Sequence, residues 1–213
     1  VTPTPPGAPS VVKIGDYDVQ PLLDEISKNG DAWFIDQGRQ RTVAVQSQTQ
    51  NIGLKSIIRQ ENVPHVQMSS DTQKTALYDR FPVVTSFLEN FCQETAKGLL
   101  GAAMIVRLKP NSQVGQHYDA GLYYLLRDRY HLVLDSDASR MKVRDTESVW
   151  KSGEMWWFNN KLTHEAFNDS DKWRVHIIFD VLPFTNVDLA TVIREYSYVE
   201  WKVPLDIVNN PQF

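Results

Sequence analysis

Residues 153–183 read GEMWWFNNKLTHEAFNDSDKWRVHIIFDVLP. Three short runs, GEMWWF, HEAF and WRVHIIFDVLP, are separated there by the polar turn segments NNK and NDSDK. Upstream, RYHLVLD at 129–135 and RMKV at 140–143 have the same character, and AAMIVRLKP at 102–110 is an apolar run that ends in Lys-Pro. Short strands joined by polar turns are typical of an antiparallel sandwich or jelly roll. The sequence therefore predicts a mainly β fold.

A candidate metal site begins at the sequence HYD, His117–Asp119. Alternate side chains of a strand point to the same face, so His117 and Asp119 share a face if this segment is a strand. A lone His164 follows 47 residues after His117. Two imidazoles and one carboxylate form the facial triad of non-haem Fe(II) oxygenases, which leaves coordination positions open. The structural alternative is a histidine that caps a turn beside a solvated Asp119.

A candidate anion receptor, Arg174, lies ten residues after His164 in the last predicted strand. Alternation puts four side chains on one face of that strand: Arg174, His176, Ile178 and Asp180. A buried arginine is costly unless it is paired, so Arg174 predicts a carboxylate partner. The guanidinium fork favours the terminal carboxylate of a co-substrate, with Asp180 as the alternative partner. His176 either lines the same cavity or is a hydrogen-bonded core histidine.

The segments RLKPNSQVGQHYD at 107–119, RYHLVLD at 129–135 and the opening stretch at 153–183 together resemble the aspartyl/asparaginyl β-hydroxylase family of 2-oxoglutarate oxygenases. That family also includes bacterial proline hydroxylases. The resemblance runs over residues 102–183, about two fifths of the chain. It implies a double-stranded β-helix, the jelly-roll fold shared with cupins, and the sequence predicts flanking N- and C-terminal helices.

The resemblance also implies roles for individual residues. The positions that match the iron ligands are His117, Asp119 and His164. The positions that match co-substrate contacts are Arg174, which binds the distal carboxylate of 2-oxoglutarate, and Arg129 and His131, which also face the co-substrate. Some members lack the carboxylate ligand, whereas this chain has Asp119 and is expected to have the full triad. A hydroxyl-bearing residue that some members carry near Val106 is missing here.

The implied activity is an Fe(II)- and 2-oxoglutarate-dependent dioxygenase that uses O2 to hydroxylate an unactivated carbon and releases succinate and CO2. The expected substrate is an Asp/Asn-like amino acid or peptidyl residue, and a free-amino-acid hydroxylase of the proline type is the alternative. A compact substrate is favoured by aromatic residues expected around the barrel mouth: Tyr118, Tyr123, Tyr124 and Trp156. A third interpretation is a jelly-roll binding module whose metal is structural or absent. Structural zinc takes four protein ligands, and this site offers three.

Composition limits the other classes of function. With 213 residues, of which 42% are hydrophobic, the chain is expected to form a single domain with a real core. A net charge of −4 without a Lys/Arg run predicts no nucleic-acid or membrane partner, so the expected partner is a small-molecule or peptide substrate. Cys92 is the only cysteine, which excludes an intrachain disulfide. Together with the lack of a long apolar run or a signal-peptide pattern, it predicts a cytoplasmic protein.

We divide the single domain into four segments. Residues 1–15 are a Pro-rich tail or linker, 16–100 are N-terminal helices and strands that brace the barrel, 101–183 are the catalytic β-helix, and 184–213 are a C-terminal helix and extension. Helices are predicted within 17–30, at about 83–99 and within 186–201, and one or two strands within 31–49. Within 31–49 the candidate substrate contacts are Asp36, Gln37, Arg39 and Arg41. The alternative for this stretch is an ordinary polar hairpin.

Overall fold

The computed structural model describes residues 9–35, 46–58, 71–137 and 139–196, with the backbone alone for 192–196. Its strands are, in chain order, β1 Val11–Asp16, β2 Thr49–Ile57, β3 Thr72–Lys74, β4 Gly98–Leu108, β5 Ser112–His117, β6 Asp128–Asp135, β7 Ser139–Val143, β8 Thr146–Trp150, β9 Glu154–Phe158, β10 His164–Asn168 and β11 Arg174–Pro183. The α-helices are α1 Gln20–Lys28, α2 Pro82–Glu94, α3 Leu122–Leu125 and α4 Val187–Tyr196. None of the helices within these ranges is long and apolar enough to cross a membrane.

The strands form two antiparallel sheets. The larger sheet has the order β1-β9-β6-β11-β4-β2-β3, and the smaller has the order β5-β10-β7-β8. Strands that are distant in sequence are therefore neighbours, as β4 and β11 are in the larger sheet. This arrangement confirms the predicted mainly β jelly roll with flanking helices.

Each face of the larger sheet packs against a different layer. Strand alternation in β6 turns Leu132 and Leu134 toward α1 and α2, in a core that includes Leu88 of α2. Val133, between them in sequence, belongs to a second core with Val143 and other residues of the smaller sheet. The space between the two sheets is therefore separate from the helix-covered core. Arg129 and His131 of β6 and Arg174 and His176 of β11 line this space.

Several local predictions differ from the structure. The segment 31–49 was expected to hold one or two strands, and its residues 36–45 lie outside the described residues; in its described part the 3-10 helix Gly30–Phe34 replaces strand, and β2 begins at Thr49. Helix α2 ends at Glu94 rather than near 99, because Lys97 adopts a left-handed φ of 51° and β4 starts at the next residue. Part of the segment expected to be a tail forms β1, which pairs with β9. The candidate contacts Asp36, Gln37, Arg39 and Arg41 lie outside the described residues.

Candidate metal centre

The two histidines of the predicted triad face each other across neighbouring strands of the smaller sheet. His117 on β5 and His164 on β10 are register partners, and their ring centroids are 4.3 Å apart. β5 ends at His117, so the expectation that Asp119 shares its strand is wrong. Asp119 lies in the segment after the strand, where its backbone N–H donates to the carbonyl of Asn160 at 2.9 Å. Ligand atoms of the three residues all lie within 4.8 Å of one another.

Backbone carbonyls orient both imidazole rings. The Nδ1 atom of His117 lies 2.8 Å from the carbonyl oxygen of Gly115, and Nδ1 of His164 lies 2.8 Å from that of Leu162. A carbonyl oxygen only accepts, so Nδ1 carries the proton and Nε2 is left with its lone pair. Burial lowers the pKa of His164 to about 4, which keeps this ring in the neutral form that binds metals.

The Asp119 carboxylate is held through one of its two oxygens. Its Oδ2 accepts from Nη1 of Arg129 at 2.5 Å and from Nδ2 of Asn160 at 2.9 Å. Burial acts to raise the pKa of this carboxyl, but the charge of Arg129, the neighbouring His164 and the hydrogen bond from Asn160 together outweigh it, and the pKa is lowered. The residue is therefore ionised at neutral pH. Two imidazoles and one carboxylate form the donor set that suits non-haem Fe(II), so the residues fit the metal that the sequence predicts.

Arg174 begins β11 and is buried, with 7% of its surface exposed. Its Nε donates to Nε2 of His176 at 3.0 Å, and its Nη2 lies 3.1 Å from Nδ1 of the same ring. The alternative partner proposed from the sequence, Asp180, bonds to Arg129 instead. Within the described ranges no carboxylate pairs with Arg174. Burial lowers its pKa to about 9, so the group stays protonated at neutral pH.

The histidines next to Arg174 are neutral. Burial, and then the charge of Arg174, lower the pKa of His131 and of His176 well below the usual range. Both rings line one cavity between the sheets together with His117, His164 and Arg174. His176 therefore lines the cavity and is also a buried, hydrogen-bonded histidine, so both features that the sequence offered as alternatives are present. Arg129 lines the cavity as well, but its guanidinium bonds to two carboxylates.

Sequence reasoning did not find Thr49 and Gln46, which also line this cavity. Thr49 and Arg174 are both register partners of Leu108, on opposite sides of β4, so the Thr49 hydroxyl belongs to the same wall as the guanidinium. It donates to the carbonyl of Gln46 at 2.7 Å. Val106, where some members of the resembling family carry a hydroxyl, lies on that wall too. No signal marks Thr49 in the sequence, because the pairing of β2 with β4 brings together segments about 60 residues apart.

The aromatic residues expected at the barrel mouth do not form one group. Tyr118, beside His117, is 43% exposed. Tyr123 is buried and accepts a hydrogen bond from the backbone N–H of Ala102 at 2.7 Å. Trp156 stacks on Trp150 with 5.2 Å between ring centroids. Only Tyr118 of these residues combines exposure with a place next to a triad histidine.

The family model for aspartyl/asparaginyl beta-hydroxylase matches residues 56–183, which is more than half of the chain. No curated protein sequence matches the chain. Among solved structures, an oxidoreductase of the 2OG-Fe(II) oxygenase family from Burkholderia pseudomallei is 11% identical, covers 81% of this chain and 84% of its own, and gives a TM-score of 0.52. That likeness shows a shared fold.

Two further solved structures match a smaller part of the chain. A conserved protein from Streptococcus pyogenes is 12% identical with a TM-score of 0.31, over 38% of this chain and 64% of its own. A predicted oxalate decarboxylase from Thermotoga maritima is 14% identical with a TM-score of 0.33, over 39% of this chain and 67% of its own. The present chain thus spans about two thirds of the length of these two structures.

Proposed function

Because the chain belongs to the aspartyl/asparaginyl β-hydroxylase family, we propose that it hydroxylates an unactivated carbon of an Asp- or Asn-like side chain, in a free amino acid or in a peptide. Membership confirms the predicted enzyme class, an oxygenase, and its Fe(II), 2-oxoglutarate and O2 requirement. In the proposed reaction 2-oxoglutarate is converted to succinate and CO2 while the substrate gains a hydroxyl group.

The observation that carries the proposal is a buried cation without a carboxylate partner beside a complete triad. Within the described residues, Arg174 contacts only the neutral ring of His176 through its guanidinium hydrogen bonds. Asp119, Arg129, Asp180 and Arg174 carry formal charges that sum to zero, so bound divalent Fe(II) is balanced by a dianionic co-substrate. 2-Oxoglutarate has this charge and a terminal carboxylate that matches the guanidinium fork.

Each wall of the cavity has a part in the proposed mechanism. His117, Asp119 and His164 hold the metal, which when bound couples O2 activation to decarboxylation of 2-oxoglutarate. Arg174 holds the distal carboxylate of the co-substrate. His131 and His176 stay neutral, so they add no positive charge beside Arg174. Thr49 lies on the same wall, but its hydroxyl donates to the carbonyl of Gln46.

The apolar side chains of the cavity serve the same reaction by limiting water. They come from both sheets: Leu108, Val114, Met141, Phe158 and Ile178. A dry cavity strengthens the interaction of Arg174 with an anion, because the effective dielectric is lower than in water. The metal thus supplies the oxidation chemistry, and the chain supplies ligand geometry, one cation and exclusion of water.

The experiment that tests the function is a substrate panel. Purified protein is supplied with Fe(II), 2-oxoglutarate and O2, together with free Asp, free Asn, free Pro, or short peptides centred on Asp or Asn. Succinate above the substrate-free background is measured, and the substrate is examined by mass spectrometry for the gain of one oxygen atom. We expect turnover with an Asp- or Asn-containing compound, unchanged in the surface control Arg140→Lys and lost in His164→Ala. Turnover of free proline alone would replace this proposal with the free-amino-acid alternative.

A further inference from the structure

The guanidinium of Arg129 bridges two carboxylates, the buried one of Asp180 and the half-buried one of Asp119. Its Nε and Nη2 donate to the two oxygens of Asp180, at 2.8 and 3.0 Å, and its Nη1 donates to Oδ2 of Asp119 at 2.5 Å. Arg129 and Asp180 are 7% and 1% exposed. Three of the five N–H donors of the guanidinium are therefore used within the protein. The family resemblance assigns this position to the co-substrate, but in this chain its charge is already balanced by protein carboxylates.

The second donor to Asp119 is Asn160, which lies between β9 and β10 and is 1% exposed. Its Nδ2 bonds to the same Oδ2 atom that Arg129 holds, at 2.9 Å, while its backbone carbonyl accepts the N–H of Asp119. Both donors thus act on one oxygen of the carboxylate. Oδ1 has no hydrogen bond among those of the described residues, which leaves it as the oxygen available to a metal.

We propose that Arg129, anchored by Asp180, is a positioning residue for the metal ligand Asp119, and that with Asn160 it makes Asp119 a one-oxygen ligand through Oδ1. The inference rests on the proposed function, since it assumes that the triad holds a metal. A carboxylate torsion is broad and roughly two-fold, so either oxygen of an unrestrained Asp could turn to the metal, or both could bind. The bonds at Oδ2 remove that freedom, and the carboxylates at both ends of Arg129 fix the guanidinium itself.

Single substitutions test this positioning without changing the charge of the site. Arg129→Lys keeps the cation but cannot hold Asp119 and Asp180 at the same time, and Asn160→Ala removes the neutral donor. The matched control is Arg140→Lys, because Arg140 also bridges two carboxylates, those of Asp169 and Glu147, but at the surface. Folding of each variant is checked by circular dichroism and thermal unfolding.

The measurement is titration with Co²⁺ under anaerobic conditions with 2-oxoglutarate present, followed by calorimetry and by the visible absorption spectrum of the bound metal. Outer contacts of metal ligands typically change affinity by about 10–100-fold. We therefore expect at least a tenfold loss of Co²⁺ affinity in Arg129→Lys, a smaller loss in Asn160→Ala, and an altered spectrum in both, because a freed Oδ2 changes the coordination. Arg140→Lys should match the wild type.

A double-mutant cycle separates positioning from a general structural role. If Arg129 acts through Asp119, the effect of Arg129→Lys on Co²⁺ affinity should disappear in an Asp119→Ala background, whereas a general loosening of the site would lower affinity equally in both. Unchanged affinity and spectrum in Arg129→Lys, or equal losses in the two backgrounds, would overturn the proposal. If the wild type did not bind Co²⁺, the assignment of the metal site would be wrong, and the proposed function would be contradicted as well.

Discussion

Replacing Arg174 with Lys should weaken 2-oxoglutarate binding while leaving metal binding intact. Lys keeps the positive charge, but its single ammonium cannot make the two parallel bonds of a guanidinium fork to a carboxylate. A hydrogen bond to a charged group contributes about 1.5–3 kcal/mol, and about 1.4 kcal/mol corresponds to a factor of ten in affinity. Because Arg174 is buried, no solvent discount applies, and Arg174→Lys should raise the dissociation constant by one to two decades.

Ligand-induced thermal stabilisation measures this change directly. With Mn²⁺ bound and 2-oxoglutarate at about 100 times the wild-type dissociation constant, ligation stabilises the fold by about 2.7 kcal/mol. A tenfold weaker site leaves about 1.4 kcal/mol, and a hundredfold weaker site about 0.4 kcal/mol. At roughly 2–4 °C per kcal/mol for a chain of this size, the difference is readily resolved. Arg140→Lys is the control. If 2-oxoglutarate raised the melting temperature of Arg174→Lys as much as that of the wild type, another residue would have to bind the co-substrate carboxylate.

Arg174→Met tests how the buried charge of Arg174 affects the stability of the protein without ligand. Burial lowers the pKa of Arg174 to about 9, so burying this charge costs the folded state stability. For a base whose pKa is depressed in the folded state, this loss is complete below pH 9 and disappears as the pH rises toward the ordinary arginine pKa. We expect Arg174→Met to be at least as stable as the wild type without ligand, yet to gain no stability from 2-oxoglutarate. A clear destabilisation of the free variant would contradict this account.

Three further predictions address the metal, the packing and the single thiol. His164→Ala should abolish Fe(II) binding and turnover while the circular dichroism spectrum is retained, and iron titration with undiminished affinity would refute its assignment. Gly101→Ala should destabilise the fold by about 1–3 kcal/mol, because its Cβ would lie 2.7 Å from the Tyr123 hydroxyl, whereas Gly53→Ala has nothing within 4 Å and should be neutral in thermal unfolding. Burial raises the pKa of Cys92 to about 12, so at pH 8 only about one thiol in ten thousand is ionised. A thiol reagent should therefore label it in denaturant and not in the native protein.

The strands were predictable where hydrophobic pattern and polar turns agree. The strand at 129–135 and the strands within 153–183 were predicted correctly. Each is an alternating or continuously apolar run that is bounded by Asn, Asp, Ser or Gly. β1 was missed because its residues follow a Pro-rich opening and form a strand only through pairing with β9.

The residue types of the candidate site could be predicted from the sequence, but the hydrogen bonds and ion pairs between those residues could not. HYD and a distant His indicate a triad by residue type, but the sequence placed Asp119 on the same strand as His117, and the structure has it beyond the strand end. The pairing of carboxylates with arginines depends on distances between side chains of the neighbouring strands β6 and β11. Sequence spacing does not give those distances. Asp180 lies on the predicted face of β11, yet it bonds to Arg129 on the neighbouring strand rather than to Arg174 on its own.

The two arginines of the cavity illustrate why burial alone does not identify a binding group. Both are about 7% exposed, but Arg129 has two protein carboxylates, and their charges raise its pKa against the opposing effect of burial. Arg174 has neutral rings beside it, and burial alone lowers its pKa. A fold retains such an uncompensated charge against its own stability when a ligand completes the pair, since local rules are broken chiefly at functional sites. The difference in partners therefore supports our proposal that Arg129 positions the metal ligand and Arg174 binds the co-substrate, although the two residues are equally buried and line the same cavity.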